Sequence, residues 1–289
     1  MTTILLGHSG FIGKSISKIF KDSKNDLIEI SSKEINFILD NSVNSLKSIF
    51  SKDVSVIMCM GIKKQYGDNI DNWIKNEIIL KNFIKSLIKN PPKHVIYFSS
   101  ASIYGEDTKH KGLISEFTSV SLRSLYGISK FNGENILRKI CDDYNISLVC
   151  LRPPLIYGHQ DLSIGYGPTL FADNSIKKEK VNIWGDGKEK REFIFVDDLA
   201  YLCEEILNKK ITGILNTVSG ISYSYKNILY ELEKILGYKI QVVEKKRTKE
   251  KVDHIFSTKL HDSLLPDFKY TSLIDGLKNI CYEFKKNKK

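Results

Sequence analysis

The chain has little of what stabilises small secreted proteins or anchors a protein in a membrane. It contains five cysteines, six prolines and two tryptophans in 289 residues. Because the cysteines are odd in number and widely spaced, they predict buried free thiols and a reducing, cytoplasmic location rather than a disulfide framework. The longest apolar runs, Val54 to Met60 and Val95 to Ser99, have the length of strands. Neither a membrane span nor a signal peptide is therefore expected.

Arginine is also scarce, although the formal net charge is +10. The lysines are scattered along the chain without interleaved aromatic residues or a nucleic-acid-binding motif, so we expect a solvated lysine-rich surface and no nucleic-acid partner. No metal site is expected either, because His8 has no second ligand at a suitable spacing.

The first half of the chain alternates strand-like apolar runs with helical patterns. The predicted strands are Thr3 to Leu6, Leu27 to Ile30, Val54 to Met60, His94 to Ser99 and Ser147 to Arg152. Amphipathic helices are predicted between them, at Ile70 to Ile88 and Ser124 to Tyr144 among others. This alternation is typical of an α/β protein with a Rossmann-like, doubly wound parallel sheet.

After Arg152 the pattern loosens into shorter, mixed elements. We predict that residues 1–155 form the domain that contains the parallel sheet and that this domain also receives part of 190–218. Residues 156–189 and 219–289 are predicted to form a smaller mixed α/β lobe that binds the substrate.

A glycine-rich loop follows the first predicted strand directly. Its glycines are spaced as Gly7-x-x-Gly10-x-x-Gly13, and a helix begins within it. Such a loop brings backbone N–H groups and the positive end of a helix to the diphosphate of a dinucleotide. The residues predicted to bind a dinucleotide here are Gly7, His8, Ser9, Gly10, Phe11, Ile12 and Gly13.

Tyr126 and Lys130 are the most informative pair in the chain. Residues four apart on a helix lie on one face, so the Lys130 ammonium can stand beside both the Tyr126 phenol and a cofactor ribose. A nearby cation lowers the pKa of a phenol, which predicts a tyrosine that exchanges protons near neutral pH.

Several segments together resemble the extended short-chain dehydrogenase/reductases, and more narrowly the NAD-dependent epimerase/dehydratase family acting on nucleotide sugars. They are, in chain order, Gly7-His-Ser-Gly-Phe-Ile-Gly13, Ser99-Ser-Ala-Ser-Ile-Tyr-Gly105, Tyr126-Gly-Ile-Ser-Lys130, Leu151-Arg-Pro-Pro-Leu-Ile-Tyr-Gly158 and the segment from Trp184 to Asp198. The resemblance covers nearly the whole chain and is specific for the family rather than for one reaction.

The resemblance implies roles for individual residues. Tyr126 would be the catalytic acid/base, Lys130 would bind the ribose and depress the pKa of Tyr126, and Ser100 would be the third catalytic residue. Arg191 would bind the diphosphate of a nucleotide sugar, although a structural ion pair with Asp197 or Asp198 remains an alternative. The substrate-binding candidates are Ser102, Tyr157, Asn174, Trp184 and Arg191.

The choice of dinucleotide depends on the end of the second strand. There the resemblance predicts an acid that would bind the adenosine ribose of NAD and repel a 2′-phosphate, but this chain has Ser31, Ser32 and Lys33. These residues favour NADP(H), with NAD(H) still possible. Strand alternation predicts that the neighbouring Glu29 is a surface or edge charge.

The absence of an Asp-Glu pair limits which reactions are expected. Family dehydratases carry Asp-Glu after the catalytic hydroxyl, whereas Ser100 is followed by Ala101 and Ser102. We therefore do not expect dehydration. Because Ser31, Ser32 and Lys33 favour NADP(H), we expect reduction of a 4-keto-6-deoxy sugar nucleotide first, with a nucleotide-sugar 4-epimerase that retains NAD as the alternative. A non-catalytic NADP-binding sensor is a remote third reading. By resemblance we also expect a homodimer and a role in the synthesis of polysaccharide precursors.

Overall fold

A computed structural model describes residues 2–161, 165–248 and 250–286. The strands are β1 Thr3–Leu6, β2 Leu27–Ile30, β3 Ser55–Met58, β4 His94–Phe98, β5 Ser147–Arg152, β6 Leu155–Tyr157, β7 Val181–Trp184, β8 Lys190–Phe195, β9 Gly213–Asn216, β10 Ser222–Ser224 and β11 Val242–Lys245. The helices are α1 Phe11–Asp22, α2 Ser42–Lys47, α3 Ile70–Lys89, α4 Leu125–Asp143, α5 Pro168–Lys177, α6 Val196–Lys209, α7 Tyr225–Leu236, α8 Lys259–Leu264 and α9 Leu273–Lys286. Short 3-10 helices occupy Lys64–Tyr66 and Ala101–Tyr104.

Six strands form one parallel sheet in the order β2-β1-β3-β4-β5-β9. Central strands such as β1 and β3 are buried along their whole length, as expected when helices cover both faces of a parallel sheet. The predicted α/β fold with a Rossmann-like sheet is confirmed. Strand β9 shows that residues 213–216 join this sheet from the second half of the chain.

Helices cover the two faces of the main sheet. Ile4 and Leu6 belong to an apolar core with α2, α3 and α4, whereas Leu5 between them belongs to a second core with α1 and α6. Alternate residues of a strand point to opposite faces, so one short strand contributes to both cores. The helices predicted at Ile70 to Ile88 and Ser124 to Tyr144 are confirmed as α3 and α4.

Most of the remaining elements form a smaller lobe around a third core, whereas α8 packs against the second core of the main sheet. Strands β10, β8 and β6 form one small sheet, and β11 pairs with β7 in another. Helices α5, α7 and α9 pack beside them. The division of the chain at residue 155 stays a prediction.

All five cysteines are free thiols, and four of them are buried. Across residues 2–161, 165–248 and 250–286, no helix is long and apolar enough to cross a membrane.

Candidate active site

The glycine-rich loop forms a tight turn between β1 and α1. Gly7 has a φ of +93°, a conformation that favours glycine, and its N–H donates to the carbonyl of Ile30 at 2.7 Å. A Cβ on Gly13 would lie 2.1 Å from the carbonyl oxygen of Gly7, so a side chain there would push the helix away from the loop. The N-cap residue of α1 is Gly10, so no capping side chain hydrogen-bonds to the first backbone N–H groups of the helix. The positive end of α1 is thus presented to a ligand, and this cradle fits a dinucleotide diphosphate.

A cleft of about 370 Å³ opens beside this loop. It is lined by the loop itself, by residues that follow β3 and β4, by side chains of α4, and by residues within 153–161 and 165–169. The sequence candidates that line it are Ser9, Gly10, Phe11, Ile12, Ser100, Ser102, Tyr126, Lys130 and Tyr157. The dinucleotide loop and the proton-transfer pair, more than 110 residues apart in the sequence, therefore share one cavity.

Ser100 and Tyr126 lie together at one end of the cleft. Ser100 follows β4, caps the 3-10 helix by accepting from the N–H of Ser102 at 3.1 Å, and is hydrogen-bonded to the Tyr126 phenol. The backbone N–H of Tyr126 donates to Oδ1 of Asp68 at 3.0 Å. This bond anchors the first turn of α4 to the loop before α3.

The pKa of Tyr126 is raised, against the expectation of a lowered value. Burial raises it to about 12, and the hydrogen bond with Ser100 lowers it only in part. The Lys130 ammonium lies 5.8 Å from the centre of the Tyr126 ring and donates to the carbonyl of Phe98 at 2.7 Å. Desolvation of the phenolate thus outweighs the Ser100 hydrogen bond, and Tyr126 is neutral at pH 7.

Lys130 is buried on the inner face of α4. Burial lowers its pKa to about 8, while Cys59 and Glu134 act in the opposite direction. The side chain is therefore still mostly charged at neutral pH, but it loses its proton near pH 8, well below the usual range for lysine.

This pKa predicts how dinucleotide affinity depends on pH. If the Lys130 ammonium donates to ribose hydroxyls, affinity should fall several-fold as the pH rises from 7 to 9.5, because the charged form is lost on passing pH 8. Titration of the dinucleotide against the protein by fluorescence, at half-unit pH steps, measures it. The Lys130→Met variant should bind weakly with no step near pH 8. A wild-type affinity that is flat across this range would contradict the prediction.

Ser31 does not present a free hydroxyl at the end of β2. It is buried, and both its N–H and its hydroxyl donate to Oε2 of Glu34, at 2.7 and 2.5 Å. These bonds lower the pKa of Glu34 to about 2. An ionised carboxylate therefore lies at the end of β2, where the sequence suggested only the hydroxyls of Ser31 and Ser32 and the ammonium of Lys33. His8 lies 3.7 Å from this carboxylate and 3.8 Å from Glu29. A Ser-x-x-Glu spacing is the sequence signal that could have revealed Glu34.

Glu29 and the two residues after Ser31 have simpler surroundings. Glu29 pairs with Lys21 and accepts from Ser17, both on α1, which agrees with an edge charge rather than a ribose ligand. Ser32 and Lys33 are exposed and lie outside the lining of the cleft.

The proposed substrate residues fall into three groups. Ser102 and Tyr157 line the cleft, but Tyr157 is buried with its hydroxyl close to Gly276 in α9. Trp184 lines a neighbouring cavity of about 340 Å³. Asn174 lines neither cavity. Its side-chain amide instead donates to the carbonyl of Lys180, just beyond the C-terminal end of α5.

Arg191 is paired, but not with either acid considered from the sequence. It pairs with Glu189 and donates to the carbonyl of Val252. Asp197 instead accepts from Ser15, and Asp198 accepts from Thr271. The salt-bridge alternative with Asp197 or Asp198 was therefore wrong.

Two ion pairs at the cleft were not anticipated from the sequence. Lys63 lies 3.3 Å from Asp161, and Lys64 lies 2.6 Å from Glu106. All four residues line the cleft, and each pair joins segments about 40 or 100 residues apart. No local spacing marks such pairs, since only the fold brings the partners together.

Residues 3–217 match the model of the NAD dependent epimerase/dehydratase family. The chain belongs to this family. Its members are enzymes that act on nucleotide sugars, and the resemblance noted in the motifs is thereby confirmed.

Three similar proteins illustrate the range of the family. The uncharacterized UDP-glucose epimerase YtcB of Bacillus subtilis is 22% identical, over 94% of this chain and 98% of its own length. The GDP-L-colitose synthase of Yersinia pseudotuberculosis is 24% identical over 98% of both chains. The crystal structure of UDP-glucose 4-epimerase from Bifidobacterium longum, in complex with NAD+ and UDP, superposes with a TM-score of 0.86 at 21% identity, covering 100% of this chain and 99% of that one. At this identity the structural likeness supports the fold alone.

Proposed function

We propose that the protein is a nucleotide-sugar 4-epimerase that retains NAD, with Tyr126 as the acid/base. The observation that carries oxidoreduction at C4 is the convergence of Ser100, Tyr126 and Lys130 on one cleft beside the glycine-rich loop. This arrangement provides a hydroxyl to orient a sugar oxygen, a phenol to exchange its proton and a cation at the ribose position.

The Glu34 carboxylate is the reason for preferring epimerisation to reduction. Reduction came first from the sequence because Ser31, Ser32 and Lys33 favoured NADP(H). An ionised carboxylate hydrogen-bonded to Ser31 would repel a 2′-phosphate and can accept from a ribose 2′-hydroxyl, which favours NAD. An epimerase regenerates its dinucleotide in every cycle and has no need of a separate NADPH supply.

The residues of the cleft have distinct tasks in this reaction. Ser100 holds the oxygen at C4 through its hydroxyl. The phenolate form of Tyr126, a minor form because burial raises the pKa of this group to about 12, takes the proton of the 4-hydroxyl and later returns it. Lys130 keeps a positive charge beside the phenol and binds ribose hydroxyls. A bound nicotinamide supplies the acceptor and donor of the C4 hydride. For inversion the 4-keto sugar turns in the cleft, so that the hydride returns to the other face of C4.

Net reduction of a 4-keto-6-deoxy sugar nucleotide is the second candidate. The raised pKa of Tyr126 favours it, because a neutral phenol is ready to protonate the alkoxide that forms at C4. The likeness to the GDP-L-colitose synthase of Yersinia extends over nearly the whole chain and agrees with this alternative.

One assay separates the candidates. The purified protein is denatured, and the released dinucleotide is identified by mass spectrometry. Intact protein is then incubated with UDP-, GDP- and dTDP-hexoses without added cofactor, and the C4 configuration is followed by NMR. We expect bound NAD and conversion of one hexose to its C4 epimer, with none in the Tyr126→Phe variant.

The opposite result identifies the reductase. No epimer would form, and NADPH or NADH would be oxidised only in the presence of a nucleotide 4-keto-6-deoxy sugar. If neither reaction occurs across the panel, oxidoreduction at C4 is wrong.

We also propose that the protein works in the cytoplasm as a homodimer. Helices α3 and α4 lie side by side, joined by a hydrogen bond of 2.6 Å from Asn132 to Glu77. They expose the apolar side chains of Ile74, Ile128 and Ile136, which a second copy of this helix pair would cover.

A further inference from the structure

A second cavity adjoins the catalytic cleft. Its volume is about 340 Å³, and Glu106 and Tyr166 line both cavities. Trp184 and Tyr225 supply aromatic surface, and Arg247 supplies a cation. In the proposed function this is the place for the nucleoside diphosphate, whose sugar would then extend into the catalytic cleft.

A carboxylate in this cavity is held between two arginines. One oxygen of Glu189 contacts Arg191 and the other contacts Arg247. The exposed fractions of these side chains are 15% for Glu189, 13% for Arg191 and 20% for Arg247. At such exposure the interactions are screened less by water and salt than those of surface pairs.

The arginines do not depend on Glu189 alone for their positions. Arg191 also donates to the carbonyls of Val252 and Glu106, and Arg247 donates to the carbonyl of Trp184 at 3.3 Å. Gly185 lets Arg247 approach closely, because a Cβ there would lie 2.7 Å from Nε. Both guanidinium groups are thus partly anchored by the backbone.

A carboxylate is an unusual neighbour for a diphosphate. Two arginines suit bidentate binding of phosphate oxygens, but Glu189 cancels one of their two positive charges and already occupies N–H donors on both. A diphosphate that binds here must share those donors with Glu189 and accept its repulsion.

We infer that Glu189 limits the affinity of Arg191 and Arg247 for the diphosphate of the nucleotide, and so determines how readily nucleotide ligands are released. This inference rests on the proposed function, since it assumes that a nucleoside diphosphate binds in this cavity. Glu189 acts through the two arginines and takes no part in the chemistry at C4.

The test compares Glu189→Gln with the wild-type protein by calorimetric titration of UDP, GDP, CDP and dTDP. We expect the variant to bind the preferred diphosphate about tenfold more tightly, because removing one charge a few ångströms from the phosphates is worth roughly 1.4 kcal/mol in this environment. The gain should shrink at 0.5 M salt. The corresponding nucleoside, which has no phosphate, should not bind more tightly to the variant than to the wild type.

Two control variants separate charge from shape and position. Glu189→Asp keeps the charge and should not tighten binding. Glu250→Gln removes an exposed carboxylate at the rim of the same cavity and should change affinity by less than about twofold. Thermal melts establish that each variant is folded before titration.

Each outcome has one meaning. Affinity that is unchanged or weaker in Glu189→Gln, with the wild type binding a diphosphate, overturns the role of Glu189 and leaves the proposed function standing. Failure of every diphosphate to bind both proteins overturns the assignment of the cavity, and with it both proposals. Equal tightening in Glu189→Asp would show that geometry, not charge, limits affinity, which also overturns the inference.

Discussion

Tyr126→Phe should abolish turnover while leaving dinucleotide binding intact. Loss of the hydroxyl removes the proton donor and acceptor at C4, and a positioned acid/base typically contributes 10²- to 10⁴-fold to the rate. The phenyl ring keeps the packing of the tyrosine, and Lys130 keeps its bond to the carbonyl of Phe98. Single-turnover rates and dinucleotide dissociation constants, measured on the same preparation, provide the comparison.

The same variant tests whether the chain is a catalyst at all. A dinucleotide sensor would lose nothing when the hydroxyl of Tyr126 is removed, whereas an enzyme should lose almost all activity. The Tyr144→Phe variant is the matched control, because it also removes a phenol hydroxyl, but from an exposed tyrosine at the far end of α4 that lines neither cavity. It should retain activity within about tenfold, and an equal loss in both variants would refute the assigned role of Tyr126.

Arg152→Met should destabilise the fold by about 3 to 5 kcal/mol, because it leaves a buried carboxylate without its cation. Glu134 and Arg152 are 0% and 3% exposed and form two hydrogen bonds, of 2.9 and 2.6 Å. Arg152 also donates to the Tyr104 hydroxyl at 2.8 Å, which in turn donates to Asn216. The free energy of unfolding in urea measures the loss.

Two further variants make this prediction specific. Lys139→Met removes an exposed ion pair with Asp143 on the same helix and should cost less than about 0.5 kcal/mol. Adding Glu134→Leu to Arg152→Met removes the unpaired charge and should recover much of the loss. A cost for Arg152→Met as small as that for Lys139→Met would contradict the buried-charge argument.

The buried pair also matters for the site, because Glu134 lies one turn after Lys130 on α4 and accepts from Ser99, the neighbour of Ser100. The pair therefore links the helix that carries Tyr126 to the segment after β4 that carries Ser100. Stability and catalytic geometry depend here on the same contacts.

Much of the fold was predictable because its signals are local. Alternating strand and helix patterns, a glycine turn at residues 7–13 and a Tyr126–Lys130 spacing of one helical turn depend only on neighbours in the chain. Asn174 shows that a role assigned from sequence resemblance can be misplaced, since its side-chain amide hydrogen-bonds to the backbone beyond α5 and does not reach the cleft. Glu189 shows a second limit, because one of its two arginine partners, Arg247, lies 58 residues further along the chain and no local spacing marks that contact.

The pKa values of the site were beyond sequence reasoning. The spacing of Tyr126 and Lys130 correctly placed a cation beside a phenol, but the balance between attraction and desolvation depends on how much protein surrounds each group. Burial dominates for both, raising the pKa of Tyr126 to about 12 and lowering that of Lys130 to about 8.

By itself the sequence determined the fold class and the family, because short motifs and periodic patterns encode these through covalent spacing. It also predicted which residues exchange a proton and bind a dinucleotide. Only the tertiary structure decided which charges meet. It placed Glu34 on Ser31, Glu189 between Arg191 and Arg247, and Glu134 on Arg152. Electrostatic interactions depend on distance and burial in three dimensions. Apart from the local contacts of Glu34 with Ser31 and of Glu189 with Arg191, these pairings join residues that the chain alone does not bring together.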